Sequence, residues 1–233
     1  MSNRGFGWSI SRPYPVHRGA VMAANGMVAS AHPLATATGV DVLRRGGNFI
    51  DAALATAAVL NVVEPYNSNL GGDVFLIAYD AKRNETVALN GSGVAPASAT
   101  IDRFRSGIPT DGLAAASVPG QVHGWLTAHK RWGTWELSEL FAPAIRYAED
   151  GFPANMQLVR AIAGVQHRIA QFPSSQRVFG TVPNPGDIWS NPELGRTLRT
   201  IAAGGIDAFY CGEIAERIAD FCAANNGYIT VDD

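Results

Sequence analysis

Lysine is almost missing from this chain. Only Lys82 and Lys130 occur among 233 residues, and the other sixteen basic positions are arginines scattered without a run. With a formal net charge of −2, no global field recruits nucleic acid or an anionic membrane. Cysteine is equally scarce. Cys211 and Cys222 lie eleven apart in what reads as one helix, on the same face but about 16 Å apart along its axis. A disulfide needs α-carbons within about 7 Å, so both are expected to be free thiols, which fits a reducing compartment. No stretch reaches the roughly 18 apolar residues of a membrane span. The longest candidate, FIDAALATAAVLNVVEP, carries Asp51 and Asn61 and stops at Pro65. The N-terminus lacks the continuous apolar core of a secretory signal. These absences together predict a soluble, cytoplasmic protein with no nucleic-acid or membrane partner.

What is present reads as two helices, a hairpin and a helical half. Residues 1–26 form an irregular arm, and MVASAH (27–32) reads as a short strand. A helix is expected to start at Pro33 and to end at Gly46-Gly47. Asn48 caps the next, Phe49–Val63, which is apolar almost all round and therefore buried. DVFLIAYD (73–80) and TVALN (86–90) flank a polar turn and read as a β-hairpin. Val74–Ala78 is apolar at every position, the pattern of a strand covered on both faces. From 119 onward the periodicity is helical. Val122, Trp125, Leu126 and His129 share one face, and a helix capped by Ser138 closes at Gly151. A third helical stretch covers 154–170. Another is capped by Asn191 and ends at the glycines 204–205, and the last is amphipathic through Ile214, Ile218 and Phe221.

Three chemistries are suggested by individual residues. The histidines His17, His32, His123, His129 and His167 never take the three-to-four spacing of helical zinc ligands, so no metal or other cofactor is expected. Gly71-Gly72 follow a helix and precede a strand, the reverse of a phosphate cradle, and no GK[ST] occurs. Ser92 sits in GSG at the end of a strand, inside NGSGVAPAS. A nucleophile elbow reads G-x-S-x-G and leads into a helix, which this stretch does not. The plain alternative is that Gly91 and Gly93 turn the chain at a strand end and serine is tolerated between them.

Several stretches taken in order carry a resemblance. MVASAHPLATATGVDVLRRGGNFIDAALATAAVLNVVEP, NLGGDVFLIAYD, SVPGQVHGWLTAHKRWGT, ELFAPAIRYAEDGF and GIDAFYCGEIAERIADFCAANNGYITVDD together resemble the large subunit of the γ-glutamyltransferase family, over residues 24–233. The resemblance implies an α+β fold of the N-terminal-nucleophile hydrolase type, an α-β-β-α layered sandwich, of which 27–233 would be an incomplete, helix-rich N-terminal portion. It implies a precursor that cuts itself, a small subunit from that precursor as partner, and a threonine that becomes the small subunit's N-terminus. A free α-amino group, with a pKa of about 7.7–8.0, can serve as base for such a hydroxyl. That threonine is expected downstream, so no catalytic residue is assigned in this chain.

The opening motif then acquires a role. In γ-glutamyl-specific members an Arg-Glu pair precedes the Ala-Pro that matches Ala95-Pro96. Aligned so, the arginine falls on Ser92 and the glutamate on Gly93. The resemblance implies that Gly91, Ser92, Gly93 and Val94 line the substrate pocket for a small-molecule amide, without a bidentate clamp for a carboxylate. Losing one partner of a buried charge pair costs about 2–5 kcal/mol, so γ-glutamyl specificity is expected to be weak. Gly71-Gly72-Asp73, where more glycine is usual, points the same way, toward the branch that includes cephalosporin-acylase-like enzymes and oxamate amidohydrolase. Arg103 and Arg105 are the nearby basic candidates for a substitute clamp, and their polar loop places them in solvent. The competing expectations are a true glutathione transpeptidase with such a clamp, and a catalytically dead or purely structural chain. As part of a larger fold, the 233 residues on their own should expose apolar surface. Purified alone, they are expected to bind a hydrophobic dye; a compact monomer with no dye binding contradicts the incomplete-domain reading.

Overall fold

Two helices and a hairpin come first, and a helical half packs against them. The structure, a computed structural model, describes residues 20–233. The order is α1 (Pro33–Arg44), α2 (Phe49–Val63), β1 (Val74–Asp80), β2 (Glu85–Gly91), two 3₁₀ turns (Ile101–Phe104 and Leu113–Ala115), α3 (Gln121–Trp132) and α4 (Leu137–Glu149). Then follow β3 (Phe152–Pro153), α5 (Met156–Gly164), α6 (Gln166–Ile169), α7 (Pro173–Phe179), β4 (Ile188–Trp189), α8 (Pro192–Tyr210) and α9 (Glu213–Ala224). Both two-stranded sheets, β1-β2 and β3-β4, are antiparallel. Of the irregular arm expected over 1–26, residues 20–26 carry no helix or strand, and the others lie outside the described residues.

The core is built around α2. Its Ile50, Leu54, Val59, Val62 and Val63 are buried with Val122 and Trp125 of α3 and Leu140, Phe141 and Ala144 of α4. Each such branched or aromatic side chain contributes about 1.5–3 kcal/mol by leaving water. The caps are local. Asn48 accepts from Ile50 N–H at 2.8 Å and Asp51 N–H at 3.1 Å, and Asp51 returns a bond to Asn48 N–H at 2.9 Å, a reciprocal capping box. Pro33 opens α1, and the side chain of His32 caps it by accepting Leu34 N–H at Nδ1. That cap requires a neutral ring. Burial keeps the His32 pKa below its ordinary value, against the raising influence of the Glu64 carboxylate.

Several expectations need correction. Residues 27–32 are not a strand: no other strand pairs with them among the described residues, and a strand without a partner leaves its backbone unsatisfied. Ser138 is not the cap of α4. The cap is Glu136, whose carbonyl accepts Glu139 N–H and Leu140 N–H. The stretch 154–170 breaks at Val165 into α5 and α6. Cys211 ends α8 and Cys222 lies in α9, so they do not share a helix, although both are free thiols. The glycines at 204–205 do end a helix, as expected: Gly205 takes the non-helical angles φ +64° and ψ −143°, and a second short helix, counted here within α8, continues from this kink to Tyr210.

The hairpin differs most from expectation. β1 is covered on one face only: Phe75, Ile77 and Tyr79 are 71%, 81% and 60% exposed, while Val74, Leu76 and Ala78 face the core. The apolar run therefore reads as a two-faced strand by composition and a one-faced strand by packing, as the period of two dictates. α2, expected to be buried, is covered by α1, α3 and α4. No described helix is long and apolar enough to cross a membrane.

Asp51 ties α2 to the α3–α4 connection. Fully buried, it accepts four hydrogen bonds, from Asn48 N–H, Thr134 N–H (2.9 Å), Thr134 Oγ1 (2.5 Å) and Trp135 N–H (3.4 Å). Burial pushes its pKa up, but these donors outweigh it and hold the carboxyl below its ordinary value. The stabilisation is therefore complete above the unfolded pKa of about 3.9 and is lost as pH falls through the folded value. Asp51→Ala is expected to cost about 2–4 kcal/mol in urea unfolding near pH 7. The gap between variant and parent should narrow below about pH 4; a gap that stays constant down to pH 2 contradicts the charged-acceptor role.

Candidate functional site

β2 ends at Gly91, paired with Val74, and the chain then turns through residues 90–94. Asn90 holds the turn by accepting Ser92 N–H on its own side chain at 2.9 Å, an Asx turn. Asp73, just before β1, accepts Gly93 N–H at 2.7 Å. Val94 carbonyl accepts Val118 N–H at 2.9 Å. Both strands of the hairpin thus reach the same short segment.

Behind it stands the first turn of α3. Gly72 carbonyl accepts Gly120 N–H at 3.0 Å and Gln121 N–H at 2.8 Å, which satisfies two of the orphan donors at a helix start. Gln121 is buried and donates to Asn61 Oδ1 at 3.0 Å; Asn61 in turn donates to Ser68 Oγ at 2.8 Å and Ala57 carbonyl at 3.0 Å. From the far side Tyr210 donates to Pro119 carbonyl at 2.7 Å and accepts His123 N–H at 3.0 Å. Burial pushes the Tyr210 phenol above its ordinary pKa, against the lowering effect of the His123 bond, so it stays a donor. At its other end the hairpin is fixed by Asp80, which accepts Lys82 N–H at 3.0 Å in the turn and Trp132 Nε1–H at 3.1 Å from the end of α3.

The glycines of this region make room. A Cβ on Gly93 would collide with Val118 carbonyl oxygen. One on Gly120 would collide with Gly91 carbonyl oxygen and lie 2.6 Å from Gly93 N and 2.8 Å from Ser92 carbonyl carbon. Neither Gly91 nor Gly93 adopts a left-handed φ, so they do not serve to turn the chain. They let two backbones touch.

Of the four residues expected to line a pocket, Ser92 and Val94 are exposed, Gly93 is half-buried and Gly91 is buried against Gly124 and Val74. Arg103 and Arg105 are solvent-facing, as expected: Arg103 lies over Tyr228 at 5.2 Å and Arg105 pairs with Asp102 at 2.7 Å. Clefts of about 310 and 790 Å³ lie elsewhere; the larger runs past Tyr66, Leu113, Ile169, Phe172 and Phe221, beside the Arg168–Asp111 ion pair. Among the described residues no three His, Cys, Asp or Glu side chains converge as a metal site would require. Sequence reasoning missed Asp73 as the partner of Gly93 and the Asn61–Gln121 pair. Both bonds span distant residues, and only the run of glycines at 71–72, 91, 93 and 120 hinted at crowding.

Comparison with known proteins shows the family. The sequence profile of the gamma-glutamyltranspeptidase family matches residues 35–233, and the chain belongs to that family. It is 37% identical to the glutathione hydrolase proenzyme of Bacillus subtilis (strain 168), over 95% of this chain and 40% of that protein. It is 34% identical to the oxamate amidohydrolase proenzyme of Klebsiella pneumoniae, over 91% of this chain and 42% of that protein. Among solved structures, Helicobacter pylori gamma-glutamyltranspeptidase superimposes with a TM-score of 0.88 at 34% identity, covering 92% of this chain and 64% of that one. Cephalosporin acylase from Bacillus halodurans gives 0.88 at 36% identity, covering 96% and 44%. The fold class is thus α+β, of the N-terminal-nucleophile hydrolase type, and the family is one of enzymes. The chain spans about two fifths of the length of the curated relatives it matches.

Gly120→Ala is expected to cost about 1–3 kcal/mol, because the backbones of the turn and α3 must separate. A thermal melt measures it, with Gly164→Ala, where a Cβ meets nothing within 4 Å, as the control. An unchanged melting temperature for Gly120→Ala removes the close-contact argument.

Proposed function

We propose that residues 27–233 are the N-terminal portion of the large subunit of a self-processing amidohydrolase or acyltransferase. The observation that carries this reading is the family match over 35–233. Several relatives are named proenzymes, which supports a precursor that splits into two subunits. In the complete protein a threonine exposed by self-cleavage attacks the carbonyl of a small amide. Its α-amino group takes the hydroxyl proton and delivers it to the departing amine. Water, or an acceptor amine, then attacks the acyl-enzyme and frees the threonine. The segment Gly91–Val94 lines the acyl pocket on the large-subunit side, and the whole acts in the cytoplasm without a cofactor.

Ser92 in place of an arginine makes this a divergent member with weak γ-glutamyl specificity. A glutathione hydrolase is the second reading, favoured by 37% identity to the Bacillus subtilis enzyme of that name. It needs a cation for the α-carboxylate other than Arg105, which is committed to Asp102. A dead or structural chain is the third.

Intact mass and N-terminal sequencing of the full-length protein that contains this chain decide among these. The expected result is two polypeptides, the second beginning with threonine. One uncut polypeptide favours the dead or structural reading.

A further inference from the structure

We infer that Asp73 is a specificity-determining residue of the proposed acyl site, selecting amides whose acyl group carries an ammonium or other hydrogen-bond donor and disfavouring acyl groups that carry a carboxylate. This rests on the reading of Gly91–Val94 as the pocket wall. It starts from a donor census of that wall. An exposed turn binds an anion through free backbone N–H groups or through a cationic side chain. Here the N–H of Ser92 is taken by Asn90 Oδ1 and the N–H of Gly93 by Asp73 Oδ1. Behind the turn, the N–H groups of Gly120 and Gln121 are both taken by Gly72 carbonyl. These four backbone donors are therefore spent within the chain, and of the segment's own amides after Gly91 only Val94 N–H is left without a partner among the described residues.

The charge that remains is negative. Asp73 is exposed, its Oδ1 holds Gly93, and no basic side chain among the described residues pairs with it. Ser92 adds a neutral hydroxyl and Asn90 a neutral amide. Arg105 has its own carboxylate partner, and Arg103 lies over the ring of Tyr228. A ligand carboxylate at this wall meets a fixed like charge offset only by neutral donors and by no cation, whereas an ammonium meets a fixed counter-ion. Asp73 thus does two things. It positions Gly93 through one oxygen and leaves carboxylate charge at the pocket edge.

The test uses the full-length processed protein and p-nitroanilides that differ in charge: 4-aminobutyryl, butyryl, glutaryl and γ-glutamyl. The expected order of kcat/KM is 4-aminobutyryl above butyryl above glutaryl, with the separation in KM. Asp73→Asn keeps an oxygen to accept Gly93 N–H and removes the charge, so it should shrink the 4-aminobutyryl-to-glutaryl ratio by roughly tenfold. Asp73→Ala removes both, and is expected to raise KM for every substrate in addition. A wild-type preference for glutaryl or γ-glutamyl, or a ratio that Asp73→Asn leaves unchanged, overturns the inference. If none of the four is cleaved, the acyl-transfer reading fails instead. Asp73 is then judged by calorimetry: tighter binding of 4-aminobutyramide than of glutaramate, abolished in Asp73→Asn, supports it, and equal binding overturns it.

Discussion

Two backbones touch at the centre of this structure with no room for one more carbon atom between them. Gly120, at the head of α3, lies against the carbonyl of Gly91 and the amide of Gly93. Because that contact is tight, the position of the 90–94 turn follows from the position of α3, and α3 is placed by the carbonyl of Gly72 and the buried Gln121. Gln121 in turn reads the end of α2 through Asn61. The turn that carries Ser92 is therefore an extension of the core. The proposed pocket wall, made this way, is set before any ligand arrives, which spares the ordering cost a mobile loop would incur on binding.

The same economy appears at the other end of α2. Asp51 serves the capping box of its own helix and, with its remaining oxygen capacity, the backbone of Thr134 and Trp135. One buried carboxylate thus closes a helix start and fastens the connection between the next two helices. It remains charged in a buried place because four donors point at it. α2 is held at its first turn by Asp51 and at its last by Asn61, and the core side chains lie between.

Local signals in the sequence were legible where a single turn of chain decides the outcome. Pro33, Asn48 and Asn191 start helices where their chemistry says they should, and the hairpin register follows from its polar turn. Reading failed where the outcome depends on another element. MVASAH has strand composition but no partner strand among the described residues, and Val74–Ala78 has the composition of a doubly covered strand with one bare face. Ser138 has a capping side chain, yet Glu136 two residues earlier already ends the extended segment. The site divides in the same way. Ser92 could be singled out from its motif and the family resemblance. The bond from Asp73 to Gly93 bridges twenty positions, and nothing in the local pattern announces it.

Two glycines, Gly120 and Gly205, are indispensable for opposite reasons. Gly120 is hemmed in, whereas a Cβ on Gly205 would meet nothing within 4 Å. What Gly205 supplies is a backbone angle, φ +64° with ψ −143°, close to a region nearly closed to other residues. Before the bend, Leu198 and Ile201 are buried in the core; after it, Tyr210 reaches Pro119 and His123. A straight rod could not serve both appointments. The bend acts as a bracket in the shell around the 90–94 segment, so a residue with open space on every side takes part in deciding how firmly that segment is seated.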